Sequence, residues 1–441
     1  MSGHHHTNEC THTGLDLFAV PPLQTSVEHG CWVQYQPLAT ITDSGPIEFI
    51  VKGDSDNYLD LSNTYIHAQV RVMRPNDLPL TEEDDRLVAP TNLFLQSLFS
   101  EVDVSLNGVL VSSPTNTYPY RAYVETVLNY GKDAKESQLH TSGYYKKGEP
   151  NFRFTAANTN EGLEQRRQLI TRSKTVDLIG RIHSDIFTQD RYMLNGVDIR
   201  LRFVRSKNSF ALLAVPAKEG DLTHQYKIRV EHISLFVRKA KLNPAIVLAH
   251  AKALQTTTAK YPVKRVITKI FSVPQGVMNF VKDNLYLTQK PQRLVLGFVL
   301  SKAFNGDYAK DPFEFHHFHI NSLTLFSDGQ QIPSKPLKPD FENNVYARSY
   351  MTLFTGTGTG WKDAGFDIEY SEYGQGYSFF CFDLTPSLLD GNVTEPIRSG
   401  SLRLEVGFAK PLEEPVHVVA YGELDGMIEI DRARQVITDF V

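Results

Sequence analysis

The chain is poor in cysteine, has no excess of basic charge and contains no long apolar run. Its three cysteines (Cys10, Cys31 and Cys381) are too few and too scattered for a disulfide framework, which points to a reducing assembly environment. The 45 basic residues face 50 acidic ones, for a net charge of −5, so a surface built wholesale to coat nucleic acid is excluded, although a local basic face is not. No stretch approaches the roughly 18 consecutive apolar residues of a membrane span. The opening MSGHHHTNEC lacks the charged-then-apolar grammar of a leader, so the expectation is a soluble protein, intracellular when made. Residues 1–44 contain no Lys or Arg at all and read as an extended arm, whose apolar patch is Leu15 to Pro22.

What the chain does have is strand grammar, twice over. With 441 residues, 41% hydrophobic and 22% charged, it is too long for one compact sandwich and suits two domains of about 200 residues each. Its 20 Tyr and 26 Phe fit pleated, half-buried surfaces. Glu101 to Leu106 alternates Val102, Val104 and Leu106 with Glu101, Asp103 and Ser105. Asn107-Gly108 then supplies the two positive-φ positions of a type I′ turn, and Val109 to Val111 pairs back. Asn195-Gly196 introduces a similar strand with Val197, Ile199, Leu201 and Phe203 facing inward. Ile47 to Val51 and Tyr58 to Met73 are further strands. Tyr226 to Val237 changes phase midway, which predicts a β-bulge near His232.

Tyr118 to Tyr130 carries the helical stripe Tyr120, Tyr123, Val124, Val127 and Leu128, with Pro119 in its first turn and Gly131 as a left-handed cap. Such a helix, inserted between strands, should lie across a sandwich flank. Residues 75–90 and 132–172 read as exposed loops. Asn243-Pro244 starts a short helix to about Leu254, the bridge between domains. Strands resume at Val263 to Val273, Leu294 to Leu300, Phe313 to Phe326 (with Asp328-Gly329 as a turn), Tyr377 to Phe382, Leu402 to Phe408, Val416 to Tyr421 and Met427 to Ile430. The expected architecture is therefore all-β: two tandem jelly-roll β-sandwiches with short inserted helices, a double jelly-roll. The expected boundaries are an arm over 1–44, a first jelly roll over 45–240, a helical linker over 241–261 and a second jelly roll over 262–441. Three such chains would set six similar wedges around a threefold axis, and hexagonal blocks of that kind tile a surface.

Several stretches then identify a resemblance. Asn92 to Ser113 (NLFLQSLFSEVDVSLNGVLVSS), Tyr118 to Gly131 (YPYRAYVETVLNYG), Asp185 to Ser206, Val237 to Leu254, Arg398 to Ala409 and Tyr421 to Asp431 resemble the major capsid protein of Polinton/Maverick elements and related adintoviruses. LDLFAVPP in the arm belongs to the same set, and the likeness runs from about Leu15 to Asp431. It implies a subunit of the adenovirus-hexon lineage: a homotrimer forming pseudo-hexameric capsomers of an icosahedral shell around double-stranded DNA, assembled in the host nucleus. Implied partners are further copies of itself, a penton or minor capsid protein, a maturation protease and a packaging ATPase. The matching motifs concern fold and packing, so no catalytic residue, cofactor or metal is carried over.

Other constellations are weighed as chemistry. His4, His5, His6, Cys10 and His12 have ligand chemistry but no finger-like spacing, and read as a solvated tail or tag remnant. His316, His317 and His319 fall in the expected strand Phe313 to Phe326, with His317 and His319 on one face. That spacing evokes metal-binding cupins, but burial or a subunit contact explains it better. Gly356, Gly358 and Gly360 in TGTGTGW lack the Lys-Ser/Thr pair and following helix of a phosphate loop. Asn392-Val393-Thr394 matches the glycosylation triplet by chance. Arg229, Arg238, Lys239 and Lys241 form a modest basic strand face that could meet packaged DNA, solvated charge being the ordinary explanation. The competing classes are a carbohydrate-binding β-sandwich, which needs an exposed aromatic platform with paired carboxylates, and a cupin-type metal enzyme using His317 and His319.

Overall fold

The computed structural model describes Leu17, Val20, Leu388 and residues 23–146, 160–215, 225–363, 365–386 and 396–439. The first half contributes β1 (Val27–Tyr35), β2 (Ile47–Val51), β3 (Asn57–Met73), β4 (Val88–Pro90), β5 (Phe99–Leu106), β6 (Val109–Leu110), β7 (Val176–Arg181), β8 (Ile199–Arg205), β9 (Leu212–Ala214) and β10 (Lys227–Leu242). The second contributes β11 (Ala259–Val273), β12 (Asn279–Lys282), β13 (Arg293–Leu300), β14 (Ile320–Ser327), β15 (Gln330–Leu337), β16 (Phe380–Asp383), β17 (Leu402–Phe408), β18 (Val416–Ile430) and β19 (Val436–Thr438).

The first sandwich faces β1-β10-β3-β7 against β2-β8-β5-β6; the second faces β11-β18-β13-β16 against β12-β17-β14-β15. Setting aside the small β4–β9 pair and the add-on β19, both halves have the same strand order, counted along each half as 1-8-3-6 over 2-7-4-5. That is jelly-roll topology, repeated. The strand pairs are antiparallel, so successive connections alternate between the two ends of each sandwich.

Alternation builds each core. In β3, Ile66, Ala68, Val70 and Val72 are buried while Tyr65, His67, Gln69 and Arg71 face outward. Phe49, Val104, Leu201 and Phe203 meet them from the opposing sheet. Leu294, Leu296, Phe298, Leu404 and Val418 do the same in the second sandwich. The Asn107-Gly108 turn has the positive φ values expected, 47° and 84°, and the β10 register shifts between Val230 and His232, where the bulge is predicted.

Several expectations need correction. The arm is shorter than 1–44, because Val27–Tyr35 pairs along β10 as an edge strand; it buries no side chain fully and shows no alternating apolar face, since an edge strand needs backbone partners more than buried side chains. The linker is tighter than 241–261: β10 runs to Leu242, the bridging helix is Pro244–Ala253, and β11 begins at Ala259. The expected strand from Phe313 begins only at Ile320, because Phe318 and His319 take φ values of 43° and 52°. Val416–Ile430 is one strand, not two. Gly422 within it lets the Tyr286 hydroxyl pack where a Cβ would sit 2.5 Å away, and that hydroxyl donates to Ile267 O and Ala420 O.

Gly131 is extended (φ −79°) and precedes a further helical turn over Lys132–Lys135, so it is no left-handed cap. The loop expected over 132–172 instead buries Lys135, Tyr144 and Arg166 and includes a helix at Glu161–Leu169, with 147–159 outside the described residues. Within 75–90, Asp84 is buried against Arg74 and Tyr226, and Val88 and Ala89 are buried too. Polar sequence misleads in both segments because some of their charged side chains turn inward, Asp84 onto Arg74 and Lys135 and Arg166 onto backbone carbonyls.

Gly297 on β13 is a sharp packing test. A Cβ there would lie 2.4 Å from a ring carbon of buried Phe315. Gly297→Val is expected to cost about 1–3 kcal/mol by urea titration; unchanged stability would show that Phe315 yields freely.

Candidate functional site

The helix Tyr118–Asn129 belongs to the connection between β6 and β7 and lies across a sandwich flank as expected, but the flank is that of the second sandwich. It is wedged between the two sandwiches, with ten of its twelve residues buried. Its aromatic side meets the second half: Tyr123 stacks on Phe313 at 4.5 Å and 10°, and Tyr120 stacks on Phe304 at 5.2 Å. Val124, Val127 and Leu128 join a cluster with Val266, Val295, Val419 and Tyr421, which form the outward face of β11-β18-β13. Burial pushes the hydroxyls of Tyr120 and Tyr123 well above their ordinary titration range.

The helix's other side carries charge. Arg121 Nε donates to Glu125 Oε1 one turn away (2.8 Å), and Arg121 Nη1 reaches Asp185 Oδ1 at 2.6 Å. His183 Nδ1 donates to Glu125 Oε2 at 2.6 Å, and the Val266 amide on β11 donates to Asp185 Oδ1 at 3.2 Å. Burial disfavours the charged Glu125, but Arg121 and the His183 hydrogen bond win and hold its carboxyl down at about 2. Asp185 goes the other way: burial outweighs its share of Arg121 and raises it. Its second oxygen is buried without a hydrogen bond. One guanidinium cannot serve two buried carboxylates equally.

A cavity of about 350 Å³ opens beside this network. Arg121, Glu125 and His183 line it from the first sandwich, and Lys264, Arg293 and Glu423 from the second. Arg293 pairs with Glu423 at 3.2 Å and Lys264 with Asp425 at 2.7 Å. A second clasp lies nearby. Buried Lys135 donates to the Val127 carbonyl (2.9 Å) and to the Phe366 carbonyl of the second half, and burial depresses its ammonium to about 8. Lys146 adds ion pairs to Asp367 (3.1 Å) and Glu372 (3.0 Å). With its charges engaged this way, the arrangement locks two domains into one block. The sequence signal for it was the Arg121–Glu125 spacing of four on a helix; nothing in the sequence placed Asp185 and His183 beside them.

The other candidates form no reactive site among the described residues. His316, His317 and His319 do not share a strand face: they lie in the connection before β14. His316 pairs with Glu314, His319 lies 3.5 Å from Glu342, and His317 stacks on Phe341 at 4.2 Å while its Nδ1 accepts the His319 amide. Burial, with the two neighbouring histidines, pulls His317 down to about 4. Among the described residues no group of three or more His, Cys, Asp or Glu is gathered as a metal site. Gly356 ends the helix Ala347–Thr355 against the Cys381 backbone, where a Cβ would lie 2.6 Å away, so this glycine serves close packing. Arg238 pairs with Asp60 and Lys239 with Asp54, which leaves Arg229 and Lys241 as the exposed members of the basic face. His4, His5, His6, Cys10, His12 and Asn392 to Thr394 lie outside the described residues. Cys381 is buried, with its thiol pushed up to about 12, and Cys31 is exposed. Among the described residues no helix is long and apolar enough to cross a membrane.

The network gives a pH signature. The Glu125 carboxyl sits at about 2, below its ordinary 4.5, so its stabilisation is present above about 4.5 and lost as pH falls toward 2. Glu125→Gln is expected to cost about 3–5 kcal/mol at pH 7 and distinctly less at pH 3, by urea unfolding at both. An equal loss at the two pH values would count against the network.

No protein-family model matches the chain. The chain is 26% identical over 436 residues to the uncharacterized protein F54H12.2 of Caenorhabditis elegans, covering 96% of this chain and 100% of that one. Among solved structures, the Sputnik virophage superposes with a TM-score of 0.63 at 13% identity, covering 98% of this chain and 93% of that chain. The PBCV-1 virus capsid does so at 0.61 and 9%, over 96% and 99%. The mavirus major capsid protein does so at 0.59 and 10%, over 100% and 97%. At these identities the likeness speaks for the fold, and with the repeated strand order it makes the chain a double jelly-roll.

Proposed function

We propose that this chain is a major capsid protein: three copies form a pseudo-hexameric capsomer, and capsomers tile an icosahedral shell around double-stranded DNA. The observation that carries the reading is the pair of sandwiches with one strand order, locked side by side by a buried helix. Six such modules from three chains approximate a hexagon, and a rigid interdomain contact is what a tile requires. The end-to-end match with viral capsid structures supports it. The Polinton/Maverick assignment rests on the sequence stretches alone, as do a penton or minor capsid protein as partner and assembly in the host nucleus before residence in the virion.

The role is one of shape and contact, without catalysis. The β3–β5 (74–98) and β6–β7 (111–175) connections leave the same end of the first sandwich, a consequence of antiparallel alternation, and in this reading their loops at 75–90 and 132–172 crown the trimer. The linker helix Pro244–Ala253 starts beside β1, where the Asn243 amide bonds Ser26 O, so arm and linker share the opposite end. Leu17 and Val20 of the Leu15 to Pro22 patch are exposed, consistent with an arm that docks on a neighbouring subunit. The cupin alternative loses its basis because His317 and His319, although their rings lie 5.2 Å apart, sit in a loop with His317 Nδ1 taken by the His319 amide, and among the described residues no third ligand gathers with them. A carbohydrate platform calls for coplanar exposed aromatics, whereas Trp32 and Tyr65 meet at 49°.

Purified protein is expected to sediment at three times the 49.8 kDa of one chain and to show hexagonal outlines by negative stain. A species that stays monomeric at all concentrations would refute the proposal. Deleting residues 1–24 should leave the trimer intact and impair contacts between capsomers; normal shells from that variant would remove the arm's role.

A further inference from the structure

The outward faces of the two equivalent sheets have different fates. In the second sandwich that face, with Val266, Val295, Val419 and Tyr421, is buried under the helix Tyr118–Asn129 from the first sandwich's β6–β7 connection. In the first sandwich the same face is aromatic yet open. Trp32 is 48% exposed, its ring 5.0 Å from Tyr65, which stacks on Phe236 at 5.0 Å and 17°. This chain's helix Tyr118–Asn129 is already used on the second sandwich, so it cannot also cover the first.

The topologically equivalent β15–β16 connection of the second sandwich, residues 338–379, presents a matching surface. Trp361 is 91% exposed and Tyr370 40% exposed. Of the six carboxylates in that segment, Asp367 and Glu372 are held by Lys146 and Glu342 by Lys410, and the open sheet face mixes exposed Arg229 and His232 with exposed Asp177, so the match is aromatic rather than electrostatic. Trp361 and Trp32 are the two tryptophans of the whole chain, and both stand in solvent, although tryptophan is highly buried on average and enriched in subunit contacts.

We propose that residues 338–379 of one copy cover the β1-β10-β3-β7 face of the next, with Trp361 and Trp32 as anchors. The inference rests on the capsomer reading. Because the two sandwiches share one strand order, a pseudo-sixfold ring of alternating first and second sandwiches approximately repeats the relation inside one chain across the chain boundary. The contact is therefore heterologous, head to tail, and closes after three copies.

The test uses the full chain as wild type, Trp32→Ala and Trp361→Ala, by sedimentation over a concentration series with thermal melting of each. Wild type is expected as a trimer. Each variant should melt as the wild-type monomer does, since both side chains are exposed in it, and its trimer–monomer midpoint should rise at least about tenfold. In wild type, tryptophan emission should be shielded from iodide in the trimer and accessible after dilution to monomer. Variants that stay as trimeric as wild type, or a trimer as quenchable as the monomer, overturn this contact and leave the capsomer reading standing. A wild type that never trimerises overturns both.

Discussion

Everything in this molecule depends on one helix buried between two sandwiches. Each jelly roll could close its own core, but the outward face of β11-β18-β13 is apolar and could not be left in water. The helix Tyr118–Asn129 covers it with Tyr120, Tyr123, Val124 and Val127, and a fully buried side chain of that size contributes about 1.5–3 kcal/mol. The aromatic stacking adds about 0.5–1.5 kcal/mol per favourable pair. Two modules thus become one body.

The charges on the same helix act differently. Burying Arg121, Glu125 and Asp185 carries a desolvation cost that the ion pairs offset only in good geometry. Such a network adds little net stability, yet it penalises every arrangement in which one member loses its partner. Because Asp185 also accepts the Val266 amide, the penalty falls on displacement of one sandwich against the other. Apolar contact supplies the adhesion and the buried ions supply the register. Lys135 and Lys146, reaching across to Phe366, Asp367 and Glu372, extend the same logic along the boundary.

Much of the fold was legible in the residues. Strands with one buried face announced themselves by alternation, as β3, β5, β8 and β17 did, and Asn107-Gly108 and Asp328-Gly329 declared their turns through positive φ. The bulge near His232 followed from a phase change alone. What escaped was whatever lacks a one-sided pattern. β1 is an edge strand with little buried side chain, the His316–His319 segment is aromatic without being a strand, and Arg166 and Lys135 are charged yet enclosed. Local pattern reports the solvent on either side of an element only when that solvent is water.

The sequence by itself determined the class of the protein: two runs of alternating strands joined by a capped linker helix, with the inserted helix at Tyr118 marked by its stripe. Only the tertiary structure decided where that helix goes and what Arg121 and Glu125 do there. The reason is physical. Periodicity shows that a face must be covered, but its partner comes from residues such as Asp185 and Phe313, far along the chain, and is selected by shape and charge once both sandwiches exist.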